Sequence, residues 1–441
     1  MNVFKLALKR IPLIFLSFNC YAQSSTFHST DIKWATNLTW EQVKRKAMQD
    51  NIFIFVDCFA TWCAPCKWMD KNVYPNDTVA GFMNEKFICV RVQLDSNKND
   101  NAETQSWYKT AAWLNKEYSI KAMPTFLFFS PTGTIVHSGI GSQSVTQFIS
   151  LAKDALDSSK QFYTLLNNYY AGKIRYDQMP GLATTAKQLG LDQEAYNIAG
   201  GYMHGYIDQL DDNSFCKKEN QTFIQHFRKI VTSKDRVFLI CLNTPEKIDA
   251  VTYPGYSQNL ADYVIWKEDV QPAMENDNKE NKMPDWNKIA SVVKTKYGSN
   301  YANRIVLSVK PGFYKYKKDW NNYTKYLIQQ VEDFDMRKAS GLAGANYLNE
   351  KAWEIFLHSD KMNQLERVVS WCDFALKLTG LKDSIAIAGI LDTKANLIYK
   401  LGRTKEALHL EEKATLMDPN NKDIEQAFLK MKESKSTWKD Q

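Results

Sequence analysis

The sequence predicts an α/β domain followed by an all-α remainder. Three observations carry this: two continuous apolar runs, an alternation of strand-like and helix-like segments up to about residue 157, and long amphipathic patterns after Ser158. A length of 441 residues suits two or three domains rather than one core. Hydrophobic residues at 44% and charged residues at 24% are ordinary for a globular chain.

The elements follow in order. The segment "TWEQVKRKAMQD" opens on a capping box, Thr39 with Gln42, and continues in helix formers to Asp50. Then "NIFIFVDCFA" is rich in β-branched and aromatic residues, as expected of a strand buried on both faces, yet it contains one acid, Asp57. A helix follows from near Cys63, and "KFICVRVQLD" is a second buried strand. The segment "NAETQSWYKTAAWLNKEY" reads as one helix with Trp107, Ala111 and Leu114 along a face. A hairpin is expected from "TFLFF", the turn "SPTG" and "TIVHSG", and "SVTQFISLAKDAL" closes the unit as a helix. Beyond Ser158 the strand signal is weak. The segment "RVFLICL", Arg236 to Leu242, is ambiguous, and the polar, proline-flanked stretch from Gln271 to Trp286 is expected to be an exposed loop.

The N-terminus reads as an export signal over residues 1–22. Lys5, Lys9 and Arg10 precede a short apolar run, Ile11 to Phe18, and Ala22 offers a small residue for cleavage. The run is too short to span a bilayer. Asn19 rather than a small residue precedes Cys20, which argues against lipid attachment there. The formal charge of +7 falls to about +4 without this segment, too weakly basic to imply a nucleic-acid partner. Export to a bacterial periplasm is expected.

Eight cysteines are scattered along the chain, too sparse for a disulfide framework. One pair stands three positions apart, in "TWCAPCKWMD". That spacing suits a structural bridge, half of a zinc site or a dithiol that opens and closes; no second such pair supports zinc, and no metal is expected. Cys58 and Cys89, in the two apolar runs, read as inert core thiols. Cys216, Cys241 and Cys372 read as packing residues of the helical region.

Trp62-Cys63-Ala64-Pro65-Cys66-Lys67 resembles the active-site hexapeptide of the thioredoxin superfamily. Asp57, six residues before Cys63, falls where that family keeps a buried acid, Met123-Pro124-Thr125 matches its cis-proline turn, and Gly139 or Gly141 falls where a glycine follows the last strand. The segment after Lys67 is similar to the thioredoxin-like domains of bacterial membrane reductant transporters. The resemblance covers roughly residues 30–157. It departs at Phe59, where the family has tryptophan, at Ala64, where it has glycine, and in the longer stretch from Cys66 to Pro124. It implies a thioredoxin fold over 23–158, Cys63 as nucleophile, Cys66 as resolving thiol and Asp57 as proton relay. Trp62, Met123, cis Pro124 and Thr125 would contact substrate, with Ala64, Pro65 and Lys67 as local context. No cofactor beyond the Cys63–Cys66 couple is implied.

The residues support that chemistry by themselves. A thiol at a helix start gains acidity from unpaired N–H groups and the positive dipole end. Pro65 is harmless in a first helical turn. Cys66, one turn in, faces the same side and is expected to be partly buried. The reading also requires Cys63 to be reachable from solvent and Pro124 to lie beside it.

The remainder divides into helical regions at 159–344 and 345–441. Within the latter, "LDTKANLIYKLGRTKEALHLEEKATLMDPN" resembles a tetratricopeptide repeat, best over 388–421, through Leu391, Ala395, Gly402, Ala407, Ala414 and Pro419. A looser copy precedes it, with Ala352 and Ala375 as contacts. Two functions fit. One is an exported thiol–disulfide oxidoreductase, chiefly a protein-disulfide reductase with a helical substrate- or partner-binding arm; protein disulfides and an electron donor such as a membrane reductant transporter would be its partners. The other is a tetratricopeptide-type interaction scaffold with a regulatory or chaperone-like thioredoxin domain.

Overall fold

The computed structural model describes residues 31–279, 282–380 and 383–438. The expected export segment and Cys20 lie outside them. The chain divides into two compact units at Asp211/Asp212, between the boundaries expected at 158 and 344.

The first unit runs α1 (Trp40–Asp50), β1 (Phe53–Phe59), α2 (Ala64–Asn72), α3 (Asp77–Lys86), β2 (Phe87–Gln93), α4 (Ala102–Ser106), α5 (Tyr108–Glu117), β3 (Thr125–Phe129), β4 (Ile135–Ile140) and α6 (Val145–Asp154). Three helices follow: α7 (Phe162–Tyr170), α8 (Met179–Gln188) and α9 (Asp192–Gly205). The sheet order is β2-β1-β3-β4, with β1 and β2 parallel and the other two pairings antiparallel. The expected α/β domain and helical remainder are therefore present. The capping box of α1 forms through Thr39 and Gln42.

Side chains alternate across a strand, and this sorts the core into two layers. Phe55, Phe126 and Phe128 meet Met69 of α2 and Phe148 of α6 on one face. Ile54, Val56, Cys58, Val90 and Leu127 meet Trp40 and Val43 of α1 and Leu114 of α5 on the other. Asp57, two residues from Phe55, belongs to the α2 side. Phe55 is fully buried, with ring centroids of Phe128, Phe148 and Phe126 at 5.1, 5.6 and 5.9 Å. Phe55→Ala is expected to destabilise the first unit by about 3–5 kcal/mol through lost burial and the cavity left behind, measurable by urea unfolding.

Two expectations need correction, and one ambiguous segment is resolved. The single helix from Asn101 to Tyr118 is two, because the chain turns at Trp107 and buries its ring against the sheet. The "RVFLICL" segment is a helix, Arg236–Asn243, burying Val237, Phe238 and Cys241 at helical spacing. The stretch from Gln271 is helical to Lys279. A π-helical turn, Trp266–Val270, immediately precedes it; the wider turn accommodates Pro272, whose ring would clash in a regular α-helix.

The second unit is helical among its described residues. The helices Ser384–Lys400 and Thr404–Met417 are joined through Gly402, whose φ of +83° suits a residue without Cβ. Ala395, Ala407 and Ala414 are fully buried, as are Ala352 and Ala375 in the preceding pair, Gly341–His358 and Met362–Leu378. No helix among the described residues is long and apolar enough to cross a membrane.

Candidate active site

The end of β1 carries the chain into α2, and the candidate site forms at that junction. Cys63 is the N-cap of α2; its Sγ accepts a hydrogen bond from the Cys66 N–H at 3.1 Å. Pro65 occupies the first turn, where its missing donor leaves nothing unpaired. Cys63 and Cys66 are joined as a disulfide, their Cα atoms 5.3 Å apart.

The loop before Cys63 is fixed by a contact sequence reasoning did not find. Asp95, just past β2, accepts from the Thr61 N–H at 3.0 Å and from its hydroxyl at 2.5 Å, and Asn97 donates to both partners. Slight burial pushes the Asp95 carboxyl up, but these donors hold it below its ordinary value.

The Met123–Pro124 peptide is cis. Pro124 accepts from the Gly141 N–H at 2.8 Å, and Met123 packs against a small cluster of Ala60, Cys63 and Cys66 with Phe59. The two cysteines, the proline turn and Trp62 thus come together. Trp62 is 69% exposed, and Ala64, Pro65 and Lys67 are exposed as well. The Thr125 hydroxyl is turned inward, donating to the Ala122 carbonyl at 2.7 Å. Of the two candidate glycines, Gly139 lies within β4 and Gly141 follows it with a φ of +79°.

Accessibility departs from expectation. Cys63 and Cys66 are both only 2% exposed, whereas Cys63 was expected to be reachable and Cys66 partly covered. In the disulfide the sulfurs satisfy each other, and Phe59, Ala60 and Met123 close over the apolar bridge. Trp62, Ala64 and Pro65, which flank the buried pair in the chain, are exposed.

Asp57 is 1% exposed. Burial raises its carboxyl from 3.8 to about 6, with the Arg91 charge and the Tyr74 hydroxyl pulling the other way. Arg91 is the residue that sequence reasoning missed. It stands opposite Asp57 in the β1–β2 register, with its Nε 3.3 Å from the Asp57 Oδ2 and its guanidinium 3.0 Å from Asp70 Oδ1. The same group lies 4.3 Å from the Phe59 ring and 5.4 Å from Trp34. Phe59, the departure from tryptophan, is therefore a face for this cation. Asp57 Oδ1 has no hydrogen-bond partner among the described residues.

The five other described cysteines are buried and unbridged. Burial raises the thiols of Cys58, Cys89, Cys216, Cys241 and Cys372, so none is poised as a thiolate. No group of three or more metal-ligating side chains occurs among the described residues.

This fold and site define a thioredoxin-like domain of the thiol–disulfide oxidoreductase class. A family model described as thioredoxin-like matches residues 34–131. The chain is similar to thioredoxin H4 of Arabidopsis thaliana, with 33% identity over 107 residues, 24% of this chain and 75% of that protein. It is 31% identical to thioredoxin-2 of Pyricularia oryzae over 113 residues, 24% of this chain and 56% of the relative. It is 24% identical over 135 residues to the thiol:disulfide interchange protein DsbD of Campylobacter jejuni, 31% of this chain but 20% of that protein. The chain belongs to the thioredoxin superfamily. These matches leave more than two thirds of it, and much of two of the relatives, unaligned.

Proposed function

We propose that the protein is an exported thiol–disulfide oxidoreductase that reduces protein disulfides, with the helical unit as its substrate- or partner-binding arm. The observation that carries this reading is Cys63 at the N-cap of α2, its sulfur accepting from the Cys66 N–H in the first turn, with Met123 of the cis-proline turn packed against the pair. Similarity to a thiol:disulfide interchange protein supports protein disulfides as substrates and a thiol-transferring protein as electron donor.

In the reduced protein, helix N–H groups stabilise the Cys63 thiolate. The thiolate attacks one sulfur of a substrate disulfide, forming a mixed disulfide and releasing a substrate thiolate. Asp57, ionised at neutral pH, takes the Cys66 proton. The Cys66 thiolate then attacks Cys63, releasing the second substrate thiolate and leaving the Cys63–Cys66 disulfide. Two electrons have passed to the substrate, and an external dithiol restores the pair. Trp62 and Met123 offer apolar contact to the substrate chain, and the Met123 backbone offers strand-like pairing.

Trapping tests this reading. Cys66→Ser is expected to accumulate mixed disulfides with substrate proteins, visible on non-reducing gels and released by dithiothreitol, while Cys63→Ser accumulates none. Equal capture by both variants, insensitive to dithiothreitol, would favour the scaffold.

A further inference from the structure

The second unit contains a cavity of about 430 Å³ between the helices Gly341–His358, Ser384–Lys400 and Lys422–Lys432. That volume falls within the ~300–1,000 Å³ usual for small-ligand sites. Its walls are rich in acceptors: the carboxylates of Asp392 and Asp423, with Asn396 and Thr437. The indole of Trp353 forms another part, and Lys430 is the cation among these residues.

Acidic side chains alone would say little, but two buried neutral side chains add a separate observation. Asn396 is 1% exposed, and both hydrogen bonds from its Nδ2, each 2.9 Å, run to Asp392, one to the backbone oxygen and one to Oδ1. Its Oδ1 has no partner among the described residues. Thr437, 5% exposed, likewise leaves its Oγ1 unpartnered. Leaving such acceptors dry and unpaired costs about 1–3 kcal/mol each, and a donor-rich ligand would satisfy them. Behind Asp392 lies Glu411, which is fully buried. Burial pushes both carboxyls up, and the charge of Asp392 pushes Glu411 further. Glu411 therefore holds its proton, its two carboxyl oxygens have no hydrogen-bond partner among the described residues, and Asp392 is the carboxyl of the two that lines the cavity.

We propose that this cavity binds a guanidinium group, either of a free arginine-like molecule or of an arginine side chain in a polypeptide. A guanidinium presents five donors in one plane, suited to carboxylates at two positions and to amide and hydroxyl oxygens between them, and its flat face suits an indole wall. An ammonium supplies only three donors at a point and would leave more of these acceptors unpaired.

Calorimetric titration of the full chain at pH 7.5 tests the proposal, with L-argininamide and the blocked tripeptide acetyl-Gly-Arg-Gly-amide as probes and L-citrullinamide as the neutral isostere. At least one arginine probe is expected to bind, about tenfold or more tighter than citrullinamide, since charge-assisted bonds are lost in the isostere. The tighter of the two probes identifies the source. Asp392→Asn should weaken binding by about tenfold or more, and Asp423→Asn, an exposed change that leaves packing intact, by a smaller factor. Absence of binding by both probes, equal binding of citrullinamide, or unchanged affinity in both variants would overturn it.

Discussion

Replacing Cys63 by serine is expected to abolish disulfide reduction, lowering the rate by roughly a thousandfold or more because an alkoxide is not available near neutral pH. Cys66→Ser should behave differently. The first exchange survives, since the nucleophile and its N–H donors remain, and only release from the mixed disulfide fails. A burst of one substrate thiol per protein, then no turnover, is the expected signature in an insulin-reduction or dye-linked assay. If Cys63→Ser kept substantial activity, the attacking sulfur would have to be Cys66, freed from the bridge, since the five described cysteines outside the pair are buried with raised thiols.

Asp57→Asn should make the oxidised protein more stable and the reduced protein slower. The sign of the stability change follows from proton binding. Asp57 titrates near 6 in the folded chain and near 3.8 when exposed. Between these values the folded state holds more protons, so this group's contribution to stability falls as pH rises. The penalty is absent below 3.8 and complete above about 6. At about 1.4 kcal/mol per pH unit it reaches about 3 kcal/mol at pH 7, and asparagine removes it. His137 acts in the opposite sense: it accepts from the Phe162 N–H at 3.0 Å, and burial lowers it from 6.5 to about 4. The unfolded chain then holds more protons over that window, so this contribution rises with pH. The two slopes offset each other in the natural protein; in Asp57→Asn only the rising one remains. Urea unfolding at pH 4 and pH 7 should show the variant's advantage growing with pH. Loss of the proton acceptor should also slow turnover at pH 7 by about a hundredfold and remove the inflection near pH 6 from the rate profile.

Much of the first unit was legible because its signals are local. A continuous run such as "NIFIFV" has few outcomes besides a buried strand, and the Thr39–Gln42 box and Pro65 mark helix starts within a few residues. Arg91 was missed because its meaning is not local. It is the lone cation in the second buried strand as Asp57 is the lone acid in the first, and pairing the strands in parallel would have set the two side by side. The Thr61–Asp95 bond likewise joins loops 34 residues apart. Composition misled at Gln271, where polarity and a proline suggested a loop but a π-helical turn lets the helix continue. Asp392 and Glu411 sit inside a recognisable helical pair, but the repeat pattern says nothing of their surroundings; the folded chain buries Glu411 fully and leaves Asp392 half-buried at a cavity wall.

The most direct test of the central claim is the reduction potential of the Cys63–Cys66 couple, measured in the full chain by equilibration with defined dithiol buffers. A protein-disulfide reductase of this design should lie near that of thioredoxin, roughly −230 to −290 mV. A value well below about −300 mV would mark a structural bridge, and one near −120 mV an oxidant. Either result would contradict the account.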